Sequence, residues 1–205
     1  MQDLRCTSCR SRIDNKLAFM ESPPSPEQQK MMDLLSDIFR LVKSLLDESE
    51  RASVILAAAR LDVDLERLLK HVLHHHPGGS DPLFEGDRML GTFSAKIAFA
   101  HRLGLIAPEF EHALQMVRKI RNDFAHQLES EQLNSPRQKA RLTEIVRIAE
   151  QSEIFQSGHK AFQHKARSPE HLQFVLCIVQ MSVLLHSGLN VLSRVNVGRA
   201  LKLGG

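Results

Sequence analysis

Apolar residues recur at intervals of three and four along most of this 205-residue chain, and no segment alternates apolar with polar residues for the length of a strand. Three segments also begin with serine followed by proline, at Ser25, Ser135 and Ser168. Serine accepts hydrogen bonds from the free amides at a helix start, and proline fits the first helical position because its missing N–H needs no partner there. The sequence therefore predicts an all-α fold.

Start and stop signals divide this pattern into about six helices, which we expect to form a single bundle. Gln28 and Gln138 each stand where they can complete a capping box with the serine three residues before. The first helix carries an apolar stripe from Met32 to Leu46. We predict helices over residues 26–47, 49–75, 92–103, 108–126, 136–155 and 169–195.

Residues 1–24 differ from the helical domain predicted over 25–205. They are basic, they lack an apolar run long enough for a secretory signal, and they lead into a proline-rich segment that no helix crosses. Cys6 and Cys9 form half of a zinc-binding pattern, but no second pair follows at a suitable spacing. We expect a flexible extension with reduced cysteines. The alternative is that two chains each donate one pair to a shared zinc ion.

Composition limits the classes of function. The 27 basic and 24 acidic side chains leave a formal net charge of +3, which excludes a strongly cationic nucleic-acid coat protein but not a local basic patch. All ten aromatic residues are Phe, so base-stacking surfaces of the usual RNA-binding domains are not expected. Three cysteines favour a reducing cytoplasm. Residues 172–192 are the most apolar stretch, but polar residues interrupt it, which predicts a buried helix rather than a membrane span.

The familiar enzyme motifs are missing from the sequence, which has no phosphate-binding loop, dinucleotide-binding glycine pattern, serine-hydrolase elbow or zinc-protease motif. The run His74–His76 stands at the end of the second predicted helix, where imidazoles favour the negative end of the helix dipole. Adjacent side chains on a helix point about 100° apart, which is a poor geometry for one metal ion. We therefore predict neither a metal nor an organic cofactor.

The densest group of chemistry-bearing residues lies on the fourth predicted helix. Arg121 and His126 are five residues apart, about 140° around a regular helix. They converge only if the helix loosens at His126 or if two copies pack across a dimer axis. Beside the core stripe of that helix, a polar ridge consists of Lys119, Asn122, Asp123 and His126.

A converging Arg121 and His126 would suit RNA cleavage without a metal. A histidine can take the proton of the 2′-hydroxyl or protonate the leaving oxygen, while a guanidinium stabilises the phosphorane. The alternative is structural: Arg121 pairs with Asp123 or with a neighbouring helix, and His126 forms a buried hydrogen bond.

Residues 85–97 also admit a structural and a functional interpretation. Gly86 and Gly91 permit a tight turn, and the loop then fixes the third helix against the fourth. Alternatively, the free amides of that helix start and the polar side chains around them hold an anion such as phosphate. The candidate anion-binding residues are Arg88, Thr92, Ser94 and Lys96, of which Thr92 or Ser94 also caps the helix.

Three segments resemble the mannitol operon repressor (MtlR) family, namely EGDRMLGTFSAKI at 85–97, LGLI at 103–106 and VRKIRNDFAH at 117–126. The resemblance extends less sharply over about residues 28–155. It implies an all-helical cytoplasmic bacterial protein that regulates transcription of sugar-alcohol uptake. Family members lack an evident helix-turn-helix and the sequence shows none, so we expect regulation through a protein partner rather than by direct DNA binding.

The segment from Arg121 to His126 is also similar to the Arg-x4-His motif of the HEPN superfamily. These helical domains include metal-independent ribonucleases and inactive binding modules. The similarity implies an alternative function, an endoribonuclease of toxin or defence type that acts on RNA, and we expect it to work as a homodimer. Arg121 and His126 would be its catalytic pair, and Asn122 would orient one of them. A helical binding module without chemistry is the third possibility.

Overall fold

The computed structural model describes residues 25–126, 132–196 and 198. In these residues all regular elements are helical, which confirms the predicted all-α fold. The predicted N-terminal extension 1–24, with Cys6 and Cys9, lies outside the described residues. The α-helices of the described chain are α1 (Pro26–Asp47), α2 (Glu50–Val72), α3 (Phe93–Arg102), α4 (Pro108–His126), α5 (Pro136–Ala149), α6 (Glu153–Phe162) and α7 (Pro169–Val191), and a short 3-10 helix spans Pro82–Phe84.

The helix boundaries differ most from the prediction at three places. α7 ends at Val191, four residues before the predicted end at 195. α2 ends at Val72, so His74–His76 lie beyond the helix and are not its last turn. The helix predicted over 136–155 is two helices. α5 ends at Ala149, and Ser152 then starts α6 by accepting a hydrogen bond from a backbone amide of its first turn.

All three Ser–Pro segments begin helices, as predicted. The Ser25 hydroxyl accepts from the Gln28 amide at 3.2 Å, and the Gln28 side chain accepts from the Ser25 amide at 2.8 Å, which confirms the first capping box. Ser168 caps α7 through its side chain. The second predicted capping box is wrong. Ser135 makes no side-chain cap, and Gln138 is buried against a carboxylate of α4 instead.

The chain divides into two units, Met1–Phe39 and Arg40–Gly205. This division falls later than the proline-rich boundary predicted from the sequence, and the apolar stripe of α1 is exposed in the first unit and buried in the second. The exposed members are Met32, Leu35 and Phe39, at 53–57%, and the buried members are Val42 and Leu46.

Four long helices of the second unit pack in a closed ring. α2 contacts α4, α4 contacts α5, α5 contacts α7, and α7 contacts α2. α3 packs on α2 and α4, while α6 packs on α7. Inside the ring, the Ser182 hydroxyl of α7 donates to the Asp64 carboxylate of α2 at 2.5 Å, and Arg60 pairs with the same carboxylate at 2.7 Å. The buried carboxylate therefore has partners from both helices.

α7 is the most apolar helix of the described chain, as predicted. Its mean hydropathy over 18 residues is 1.8, and by length and composition it is the one helix among the described residues that can cross a membrane. The core helix of a soluble protein passes the same test. Of this window 56% is buried, and α7 contacts α2, α5 and α6. That burial agrees with a core helix.

His171, near the start of α7, is fully buried, and neither ring nitrogen has a well-formed hydrogen bond to the described residues. Burial disfavours the charged imidazolium and lowers the pKa of His171 from its usual value. The Glu50 carboxylate and the nearby Leu45 backbone oppose this shift, and the Arg167 guanidinium reinforces it. The folded protein therefore keeps His171 neutral at pH values where the unfolded chain begins to protonate it.

We expect the free energy of unfolding to decrease as the pH falls through about 6.5, the ordinary pKa of histidine, because the unfolded state then binds a proton that the buried ring does not bind. His171→Leu removes this proton and should flatten the dependence between about pH 7 and pH 5. Urea denaturation at each pH measures the effect, with exposed His75→Leu as the matched control. An unchanged pH dependence in His171→Leu would show that other groups cause it.

Candidate functional site

A groove of about 420 Å³ lies between α2, the N-terminal end of α3 and one side of α4. α2 provides an apolar floor and one carboxylate, Asp62. Residues 91–94 form a second wall at the start of α3. α4 provides the third wall, where Arg118, Arg121 and Asn122 line the space. The groove thus gathers two guanidiniums, two hydroxyls and a helix N-terminus at one place.

The N-terminal end of α3 is capped by Thr92. Its hydroxyl accepts a hydrogen bond from the Ala95 amide at 3.2 Å, and its backbone is extended. The sequence offers Thr92 or Ser94 as the cap of this helix, and Thr92 is the residue that caps it. Phe93 and Ser94 are the first two helical residues, and amides at these positions have no carbonyl of their own helix to bind. These N–H groups give the groove the positive end of the α3 dipole.

The loop before α3 is tight, and it can form because Gly91 has no side chain. Arg88 N–H donates to the Glu85 carbonyl at 2.9 Å, and Gly91 N–H donates to the Arg88 carbonyl at 3.0 Å. A Cβ on Gly91 would collide with the Glu85 carbonyl oxygen and would lie 2.7 Å from the Gly86 carbonyl. A Cβ on Gly86 would meet nothing within 4 Å. Of these two glycines in the loop, only Gly91 is required by space.

α4 presents its arginines from a well-anchored helix. Val117, Ile120 and Phe124 are fully buried, as the apolar stripe predicts. Arg118 Nε donates to the Gln115 side chain at 2.9 Å, and Arg121 Nη1 donates to the Asn122 side chain at 3.1 Å. Both guanidiniums are thus held by neutral amides of their own helix.

Lys96 does not face the groove as an anion ligand, although the sequence suggests it as one. It is 3% exposed, and its ammonium lies 2.9 Å from Asp62 and 2.7 Å from Glu66, both on α2. Burial alone would lower the pKa of Lys96, but the hydrogen bonds and charges of Glu66 and Asp62 outweigh it and raise that pKa. Lys70 also pairs with Glu66, at 2.6 Å. The two lysines therefore balance the two carboxylates.

The structure therefore brings together two of the four candidate anion-binding residues. Thr92 and Ser94 line the groove, whereas Lys96 is engaged by α2. Arg88 is exposed on the preceding loop near Asp87, at 3.8 Å, and does not line the groove. The cations of the groove come from α4 instead.

Asp123 is a structural tie between α4 and α5. Its carboxylate accepts from Gln138 Nε2 at 2.8 Å and Arg141 Nη1 at 2.7 Å, and Arg137 Nε lies at 3.2 Å. Burial tends to raise the pKa of Asp123, but these hydrogen bonds and the two positive charges lower it. Asp123 thus has its partners on α5 and does not pair with Arg121.

Arg121 and His126 are both exposed, and they do not meet in one groove of this chain. Arg121 and Asn122 line the groove, whereas His126 is the last residue of α4 and is not part of the lining. α4 stays helical through His126, so the helix does not loosen between the two residues. Of the two predicted routes to convergence, packing of two copies is the one that this geometry leaves. The predicted buried hydrogen bond of His126 is wrong, because the side chain is exposed.

The groove contains residues that the sequence did not single out. Arg118 precedes Arg121 by three positions, which places both on one side of α4, and this spacing was the available signal. Among the described residues, no group of three or more His, Cys, Asp or Glu side chains is arranged to hold a metal ion. His74–His76 line a separate cavity of about 560 Å³ beyond the end of α2. The groove itself offers guanidiniums, hydroxyls and amides, together with the Asp62 carboxylate.

No family model, no curated protein and no solved structure matches this chain. The groove and the exposed end of α4 are therefore the observations on which a function rests.

Gly91→Ala should destabilise the fold by about 2 kcal/mol, because the new methyl group collides with rigid backbone. The matched control is Gly86→Ala, for which we expect a change within about 0.5 kcal/mol. Chemical denaturation measures both. If the two variants were equally stable, the loop would not have the close approach between Gly91 and Glu85 that shapes the groove.

Proposed function

We propose that this chain is a cytoplasmic bacterial regulatory protein of the mannitol operon repressor (MtlR) type, which acts on transcription through a protein partner. Two of the segments that resemble this family, 85–97 and 117–126, contribute residues to one groove, and this supports the proposal. Residues 91–94 of the first segment and Arg118, Arg121 and Asn122 of the second line the same groove. A resemblance due to core packing alone would not gather exposed polar side chains in one place.

A partner is part of the proposal because the chain is poorly equipped for duplex DNA. Proteins that bind DNA by themselves neutralise several phosphates with a broad basic surface. This chain has a formal net charge of +3, and its groove offers two arginines. A groove of this size suits a small ligand better than a duplex. We infer that the regulator receives its signal there.

Deletion of the gene in the bacterium that encodes it, followed by transcript sequencing, tests the regulatory proposal. The wild-type chain should restore the affected transcripts, whereas the double variant Arg118→Gln/Arg121→Gln should not, because it lacks the cations of the groove. Lys119→Gln is the matched control on the same helix and should restore them. Circular dichroism verifies that each variant folds. The proposal fails if deletion changes no transcript, or if the double variant restores them as well as the wild type.

A metal-independent endoribonuclease of the HEPN type is the second candidate, and the exposure of both Arg121 and His126 favours it. Neither residue is used as a buried structural tie. Since they lie on different sides of α4, the catalytic pair would come from two copies of the chain, His126 of one acting with Arg121 of the other. The histidine would move the proton and the guanidinium would stabilise the phosphorane.

Incubation of the purified chain with mixed RNA and EDTA tests this candidate. The wild type should cleave RNA, and Arg121→Ala and His126→Ala should each lose about 100-fold or more. An equal mixture of the two variants should recover about a quarter of the activity, because half of the dimers are mixed and each holds one intact site of two.

Two results would each rule out the shared-site ribonuclease. One is intact RNA after incubation with folded wild-type protein. The other is a chain that sediments only as a monomer at micromolar concentration while it cleaves RNA.

A further inference from the structure

We propose that the groove binds a phosphate monoester of a small molecule. Arg118, Arg121 and the first amides of α3 hold the phosphate, and the apolar floor from α2 takes the organic part of the ester. This inference rests on the proposed function, since it names the class of ligand that the same groove receives.

The charges around the groove select an anion. Lys96 and Lys70 balance Asp62 and Glu66 within one linked group of ion pairs, so the α2 wall brings no net charge. Among the described residues, Arg118 and Arg121 bond to neutral amides and form no ion pair. Two positive charges therefore face the groove without a counter-ion from the described chain.

The donor geometry favours phosphate among anions. A guanidinium presents a planar fork of N–H groups that matches two oxygens of a phosphate. Gln115 and Asn122 each engage one N–H of the two arginines and leave the others for a ligand. The amides of Phe93 and Ser94 add the positive end of the α3 dipole, a position at which phosphates bind readily. Two guanidiniums and a helix N-terminus suit a dianion better than a single carboxylate.

The floor of the groove indicates more than inorganic phosphate. A volume of about 420 Å³ is in the range of small-molecule sites and leaves room beyond a phosphate group. Ile55, Ala58 and Ala59 line the α2 wall, and Phe93 lines the same space. Small and apolar side chains at these positions make room for a hydrophobic or aromatic group. The body of the ester is therefore expected to be apolar.

Isothermal titration calorimetry of the full chain with three probes tests the inference. Phenyl phosphate carries both parts of the ligand class, inorganic phosphate carries the anion alone, and phenol carries the apolar part alone. We expect phenyl phosphate to bind at least about tenfold more tightly than inorganic phosphate, because burial of the ring on the floor adds to the phosphate contacts. Phenol should give no measurable binding.

Two variants change the groove in different ways. Arg118→Gln removes one cation, and Ala59→Glu adds a carboxylate at an exposed position of the floor. Each should weaken phenyl phosphate binding by about tenfold or more. Arg88→Gln removes an exposed arginine outside the groove and should bind like the wild type. Circular dichroism and the melting temperature establish that the variants are folded.

The inference is overturned if folded wild-type protein does not bind phenyl phosphate, or if Arg88→Gln loses as much affinity as Arg118→Gln. A short oligouridylate distinguishes the source of the phosphate. If it binds more tightly than phenyl phosphate and loses affinity in the same variants, the occupant is a nucleic-acid backbone and the small-ester proposal is overturned. If deletion of the gene changes transcripts but the wild-type chain does not bind phenyl phosphate, this inference alone is rejected. If the chain binds phenyl phosphate but deletion changes no transcript, the regulatory proposal alone is rejected.

Discussion

A single buried ammonium sets the electrostatics of the groove. Lys96 is enclosed by α3 and α2, and its ion pairs with Asp62 and Glu66 attach the two helices to each other. The same pairs cancel the negative charge that α2 would bring to the site. Without that ammonium, Asp62 would bring an uncompensated negative charge to the groove that Arg118 and Arg121 also line. The proposed affinity of the groove for anions thus depends on Lys96, which does not line the groove.

The sequence predicts the parts of the fold that depend on near neighbours. Ser25 and Thr92 are recognised as helix starts because capping involves residues three positions apart. The orientation of the Lys96 side chain does not depend on near neighbours, since its partners lie 34 and 30 residues away on α2. The sequence alone predicts that a lysine in the first turns of a helix is an exposed cation, because it does not show that those carboxylates lie next to it. Tertiary contact, rather than local preference, decides its role.

Adjacent residues of α4 also have different roles, and the helical periodicity of the sequence does not predict which residue has which role. The sequence places Asn122 and Asp123 on one polar ridge. In the fold, Asn122 turns to the groove with Arg121, whereas Asp123 faces α5 and is held by its arginines. The local pattern of α4 does not indicate Arg118 as a site residue, because the start of α3 completes the cavity that Arg118 lines. The sequence therefore predicts which segments form the candidate site, but it does not predict which residues of those segments line the groove.

The contact between α2 and α7 bears on how the chain is made. The bond from Ser182 to Asp64 joins residues 118 positions apart, and α2 is synthesised long before α7. At translation rates of about 5–20 residues per second, the part of α2 that packs on α7 stays uncovered for roughly 6 to 24 s, although α3 and α4 emerge sooner. An exposed apolar face of that duration attracts chaperones or other nascent chains. Among the four helices of the ring, α7 is synthesised last, so it completes the ring.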